Sequence, residues 1–249
     1  MTSPEWLRRY QMGHREQVWR ELRELGPAIR SRPELAREAQ LVCDEMAHRA
    51  RQNVETIIER LTADGYRFHS NDDDQISQTP HMPPTATAAD SAAWLEERFG
   101  DVPMTVLSWM RLVGDVWLVG THPEWPASAS GDPLVIEVEG SRHPGSSMRD
   151  YVIEEWEQWQ EYVDDGDAPG PFVLPVAPDQ LHKENTSGGA PYGIILPDGS
   201  TDALFVSDTT TPFVSYLNYA FAHGGFPHET GSPQEQRIKA ALALDLLPL

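Results

Sequence analysis

The densest grouping of side chains able to do chemistry is His182-Lys183-Glu184-Asn185-Thr186-Ser187-Gly188-Gly189. Two adjacent glycines permit positive φ and close approach of another backbone. Asn185 and Ser187 can hydrogen-bond local peptide groups and shape a turn. His182 and Lys183 offer donors at the start of that turn. This composition fits a recognition loop in which Gly188 and Gly189 admit a partner's backbone. It also fits a hydrolase built from His182, Ser187 and one of many acids, because such triads are assembled in space rather than in sequence. A plain polar turn leading into a strand is the third reading.

A second grouping is acidic. Glu154, Glu157, Glu161 and Asp165 project from one side of a helix predicted over 150–163, opposite Val152, Trp156, Trp159 and Val163. Asp164 and Asp165 fall where the helix dipole disfavours anions, a hint of a partner beside the plainer reading of a solvated surface helix.

The remaining chemistry-bearing residues do not assemble into a known device. There is no Gly-x-Ser-x-Gly elbow, phosphate loop, dinucleotide fingerprint or His-Glu-x-x-His. The pairs His122/Glu124 and His223/His228 lack metal-ligand spacing, and the lone Cys43 excludes a thiolate zinc site. Asp72-Asp73-Asp74 lacks the distal glutamate of a calcium loop. No metal and no cofactor are therefore expected.

Charge narrows the partner. Of the 19 Lys+Arg and 39 Asp+Glu, residues 1–68 hold 12 and 11, leaving 7 and 28 for residues 69–249. So acidic a body repels nucleic acid and attracts a basic protein. No apolar run is long enough to span a membrane. The N-terminus lacks a basic-then-apolar leader pattern and there is one cysteine, so a cytoplasmic location is expected.

The elements that must position these groups follow from periodicity. Ser3-Pro4 predicts a helix start, with a stripe of Tyr10, His14, Val18, Leu22 and Leu25 in one helix ended by Gly26-Pro27. Ser31-Arg32-Pro33-Glu34 opens a second helix carrying Leu35, Ala39, Val42, Met46, Ala50, Val54, Ile57 and Leu61 at helical spacing, closed by Gly65. These helices form an extension over 1–68 that needs a third layer from the rest of the chain or from another subunit, so they offer an oligomerisation device. Residues 69–89, acidic and proline-rich, read as a flexible linker. The segment 90–249 reads as two helices, a strand over 116–119, a strand over 133–138, a loop over 140–146, and the acidic helix. Phe172-Val173-Leu174-Pro175-Val176 follows as an edge segment. A hairpin then runs from Tyr192 to Val206 about Pro197-Asp198-Gly199, with a helix from Phe213 and a terminal helix over 238–247 behind the Ser232-Pro233-Gln234-Glu235 capping box.

Leu95-Glu96-Glu97-Arg98-Phe99-Gly100, Val102-Pro103, Leu107 and Val113-Gly114 resemble the opening helices of the SUKH superfamily. The strand with Pro175-Val176-Ala177, the glycine pair, the hairpin and the helix from Phe213 follow in that superfamily's order, over about residues 90–226. Where relatives often carry an acid after the glycines, this chain has Ile194-Ile195-Leu196. The resemblance implies an α+β fold with a mixed, largely antiparallel sheet wrapped by helices. It also implies a non-enzymatic role, since SUKH members include immunity proteins that neutralise toxins, often nucleases, and regulators of cell-wall synthesis. The preferred expectation is thus an immunity-type or regulatory protein for a basic partner such as a nuclease toxin, through His182, Lys183, Asn185, Ser187, Gly188, Gly189 and the acidic helix face.

Overall fold

A computed structural model describes residues 4–140, 148–166, 170–228 and 231–249. Its fold is α+β, and every strand pairing among the described residues is antiparallel, so the expected mixed sheet is instead three small antiparallel ones. The loop expected over 140–146 and the cap at Ser3 lie almost wholly outside the described residues.

The first predicted helix is two. α1 (Trp6–Gln11) and α2 (Arg15–Leu25) are separated at Gly13, whose φ of 99° no helix accommodates. The break lets α1 fold back, and Arg9 then grips Glu21 through two hydrogen bonds of 2.6 and 2.8 Å while Trp6 donates to the same carboxylate at 3.0 Å. Tyr10, Val18 and Leu22 are buried as the stripe requires, whereas His14 is exposed.

α3 (Pro33–Ala63) is the axis of the molecule. Ala39, Val42, Met46, Ala50, Val54, Ile57 and Leu61 are all buried, as is Cys43, whose thiol burial pushes well above its ordinary range. The layer that covers this stripe is the rest of the same chain: α3 packs on α5 (Met104–Leu112), on α1 and on α9 (Pro233–Ala243). One contiguous apolar core runs from Trp6 to Leu249, so the helices over 6–63 are part of the body and not an appendage.

Residues 69–89, expected as a flexible linker, are built into the body. β1 (Arg67–Phe68) pairs with β4 (Gly120–Thr121), and β2 (His81–Met82) lies beside β3 (Asp115–Trp117), itself paired with β5 (Val135–Ile136). His69 is buried, its Nε2 at 2.8 Å from Thr121 Oγ1, and its carbonyl accepts from Trp117 Nε1 at 2.9 Å. Backbone and polar side-chain hydrogen bonds hold this segment, which a reading based on apolar periodicity does not register. Gly114 stands where the segment crosses: a side chain there would collide with the Met82 carbonyl and Pro84, and φ is 89°.

α4 (Ala88–Phe99) packs on α5, and α6 (Met148–Asp164) packs on β6 (Phe172–Ala177), the outer strand of a four-stranded sheet. As Pro175 requires, β6 pairs on one side only, with β7 (Tyr192–Leu196), and has a bulge at Pro175/Ala177. At that bulge the Val176 carbonyl accepts from Glu137 N at 2.7 Å, linking two sheets. β8 (Leu204–Val206) and β9 (Thr210–Pro212) complete the sheet, and α8 (Phe213–Ala222) covers it. The last helix ends at Ala243, earlier than periodicity predicts, because Arg60 takes the carbonyls of Leu242 and Leu244 at 2.7 and 2.6 Å. The chain beyond turns at Leu244-Asp245, with Asp245 at φ 55°, and runs on without regular secondary structure. Asn53 brackets the backbone of Leu247 with two 2.8 Å bonds, and Asn218 accepts from Leu249 N at 2.9 Å.

Candidate functional site

The loop between β6 and β7 opens with Pro178-Asp179 and one turn of helix, α7 (Gln180–Lys183). Asp179 is the N-cap: its Oδ1 accepts from His182 N at 3.0 Å and its Oδ2 lies 2.7 Å from His182 Nδ1. Burial works against the Asp179 charge, but the His182 backbone and ring, with the Leu181 N–H, outweigh it and hold the carboxyl below its ordinary value. Asn185, at φ 58°, ends the turn. Its side chain donates to Asp73 at 2.7 Å, and Asn71 donates to the His182 carbonyl at 2.9 Å, so the 69–75 segment clamps the loop.

Gly188 and Gly189 have different reasons. A side chain at Gly188 would collide with the Asp179 carboxylate, whereas nothing surrounds the Cβ position of Gly189. Gly188 therefore makes room for the cap, and Gly189 is the open one.

Lys183 faces inward. Expected as a donor to a partner, it is fully buried, its Nζ 2.6 Å from Asp132 Oδ1 and 4.8 Å from the centre of the Tyr192 ring. Burial, opposed by Asp132 and Asp179, leaves the ammonium below its ordinary value. One face of a one-turn helix points outward with His182 and the other inward with Lys183, and adjacent positions on a helix are about 100° apart. Ser187 is exposed, and no hydrogen bond among the described residues joins it to His182.

The loop borders a cleft of about 380 Å³. His182, Gly189 and Pro191 line one part of it, Met148 and Tyr151 at the start of α6 another, with Trp117 and Ala177 also on the wall. The cleft thus sets His182 and Gly189 against the start of α6, but none of the acidic grouping lines it. Glu154 lies one turn beyond Tyr151, while Glu157, Glu161 and Asp165 continue along the helix away from the loop, all exposed. Trp156 and Trp159 pack half-buried on Phe172, with ring centres 4.9 and 6.0 Å away. Val163, expected in the buried stripe, is 43% exposed, as are Tyr151 (41%) and Tyr162 (47%). The outer side of α6 is therefore both acidic and partly aromatic.

Asp132, Asp179 and Asp202 were not legible as site or framework residues. Asp179 had a signal, the sequence Pro-Asp-x-x-His before a short polar turn. Asp132 and Asp202 act over large sequence separations and had none. Asp202, almost fully buried, accepts from Val214 N at 3.1 Å and from Arg23 Nε at 2.8 Å; burial pushes its carboxyl up to about 6 despite the guanidinium. Comparison with family models, with curated proteins and with solved structures found no match to this chain.

Proposed function

We propose that the protein is a non-enzymatic binding module that captures a basic protein, of the immunity or regulatory kind that the SUKH-like order of residues 90–226 implies. The observation that carries this reading is the cleft between the His182 loop and α6. It is a largely apolar concavity near an exposed row of Glu154, Glu157, Glu161 and Asp165. A basic surface would gain apolar contacts at Tyr151 and Trp117, and long-range attraction from the row would speed its approach. His182, Asn185, Ser187 and Gly189 supply the loop side of the contact. Lys183 and Gly188 act behind them by holding Asp132 and Asp179 in place. The test is titration of the chain with a basic protein encoded beside its gene. Saturable binding that weakens in His182→Ala and Tyr151→Ala supports the reading; binding that neither change affects removes the cleft from it.

The second reading, a hydrolase, is favoured by the 2.7 Å Asp179–His182 contact, which is how a general base is oriented. It predicts turnover of an activated ester that His182→Ala abolishes, and equal background rates for the two proteins would exclude it.

A further inference from the structure

A second cavity, of about 440 Å³, lies between the β8–β9 turn and the outer side of α8. Its lining includes Asp132, Tyr192, Ser207, Asp208, Tyr216 and Tyr219, and it shares no residue with the cleft beside His182. Three features distinguish it. Tyr216 is 8% exposed, and its hydroxyl is buried without a hydrogen-bond partner among the described residues. Asp208 is exposed and no described residue pairs with it, while Asp132 uses Oδ1 on Lys183. Tyr219 presents a ring that is 44% exposed and packed against His223, 4.3 Å between centres.

The walls are rigid. Tyr216 stacks on Phe205 with centres 4.0 Å apart and planes at 21°, and Tyr192 meets the same ring edge-on at 6.0 Å. Buried polar groups without partners are uncommon and call for an explanation. Here an unpaired hydroxyl, a free carboxylate and an open aromatic face border one cavity. The cations nearby are already engaged: Lys183 pairs with Asp132, Arg23 pairs with Asp202 and donates to the lining residue Ser215, and Lys239 donates to the His228 carbonyl. The lining is thus rich in acceptors and short of positive charge.

We infer that this cavity is a binding site for a guanidinium group, the side chain of an arginine. A planar cation with five donors matches a carboxylate, several hydroxyl oxygens and a ring face at once. An ammonium, a point charge with three donors, uses fewer of them, and a neutral isostere forgoes the pairing with Asp208. The inference does not rest on the proposed partner or on the His182 cleft, although an arginine-bearing protein could occupy both.

The test uses the full chain and N-acetyl-L-arginine amide, followed by calorimetry at pH 8. One saturable site with a Kd of about 1 mM is expected, the range open to a small polar ligand. Asp208→Asn, a change at an exposed position that does not threaten folding, weakens it about tenfold. Tyr216→Phe weakens it about threefold, and Tyr219→Ala does likewise. N-acetyl-L-citrulline amide gives no saturable heat, and the lysine counterpart binds more weakly than arginine. Reversing Glu154, Glu157 and Glu161 to lysine leaves the arginine affinity within about twofold, because those residues lie outside the cavity. Absence of saturation by about 20 mM arginine amide overturns the inference. So does equal binding of the citrulline or lysine compound, or an affinity indifferent to Asp208→Asn and Tyr216→Phe.

Discussion

Asp179 shows how much one side chain can organise: it caps α7, orients the His182 ring, and requires glycine at 188. Gly188→Ala should therefore cost about 1–3 kcal/mol of stability by overpacking, while Gly189→Ala, with open space around it, should stay within about 0.5 kcal/mol. Urea unfolding of the two variants separates them, and equal losses would show that Gly188 is not held by Asp179. Lys183 belongs to the same scale. Its removal as Lys183→Met leaves Asp132 buried and unpaired and should cost about 3–5 kcal/mol, with much of that recovered in the double variant Lys183→Met/Asp132→Asn. Asp202 titrates in the opposite sense from an ordinary ion pair. Its folded pKa, about 6, lies above the 3.8 of a free carboxyl. The native state therefore binds a proton that the unfolded chain does not between pH about 4 and 6, and the stability this adds is lost as pH rises through 6. Relative to Asp202→Asn, the protein should be more stable at pH 4 than at pH 7.

At the scale of elements, α1 and α2 are joined through the buried Tyr10–Trp19 ring contact, 6.1 Å between centres, and through Glu21, whose carboxyl the Arg9 hydrogen bonds hold down at about 2. That is the depressed-pKa case. Stability from the pair is complete above pH about 4.5 and disappears as pH falls toward 2, so the difference between the protein and Glu21→Gln should vanish over that window. The pair is about one-third exposed, and about 0.5–1 kcal/mol is expected. The C-terminal segment depends on Asn53, and Asn53→Ala should cost about 1–3 kcal/mol by leaving the Leu247 peptide groups without partners. The long helix α3 and α8 were legible in the sequence because each carries an apolar period that its burial reproduces, and the β7–β8 hairpin because apolar runs flank Pro197-Asp198-Gly199. Two elements were not. The helix break at Gly13 depends on α1 folding back onto Glu21, which periodicity alone does not encode. The 69–89 segment is held by His69, Trp117 and main-chain bonds, and its few apolar residues made it look unattached. Of the loop at 182–189, the location was legible but the division of labour was not: whether a lysine in a polar turn faces in or out depends on Asp132, 51 positions earlier.

At the scale of the molecule, residues 69–249 hold 28 acidic and 7 basic residues, an acidic balance around a core that takes in every layer and within which Asp132, Lys183 and Asp202 are buried. The helices of 1–68 spend their apolar stripe inside this body, and the outward-facing material is the acidic, partly aromatic side of α6 beside the His182 cleft. The most direct measurement of whether that face captures a basic protein is the association rate with such a protein, encoded beside this gene, at about 0.05 M and about 0.5 M salt. It is made for the native chain and for Glu154→Lys/Glu157→Lys/Glu161→Lys. The native chain should associate at least about tenfold faster at low salt, and the charge-reversed chain should lose most of that advantage. Equal rates for the two chains, with the same response to salt, would contradict capture through this face.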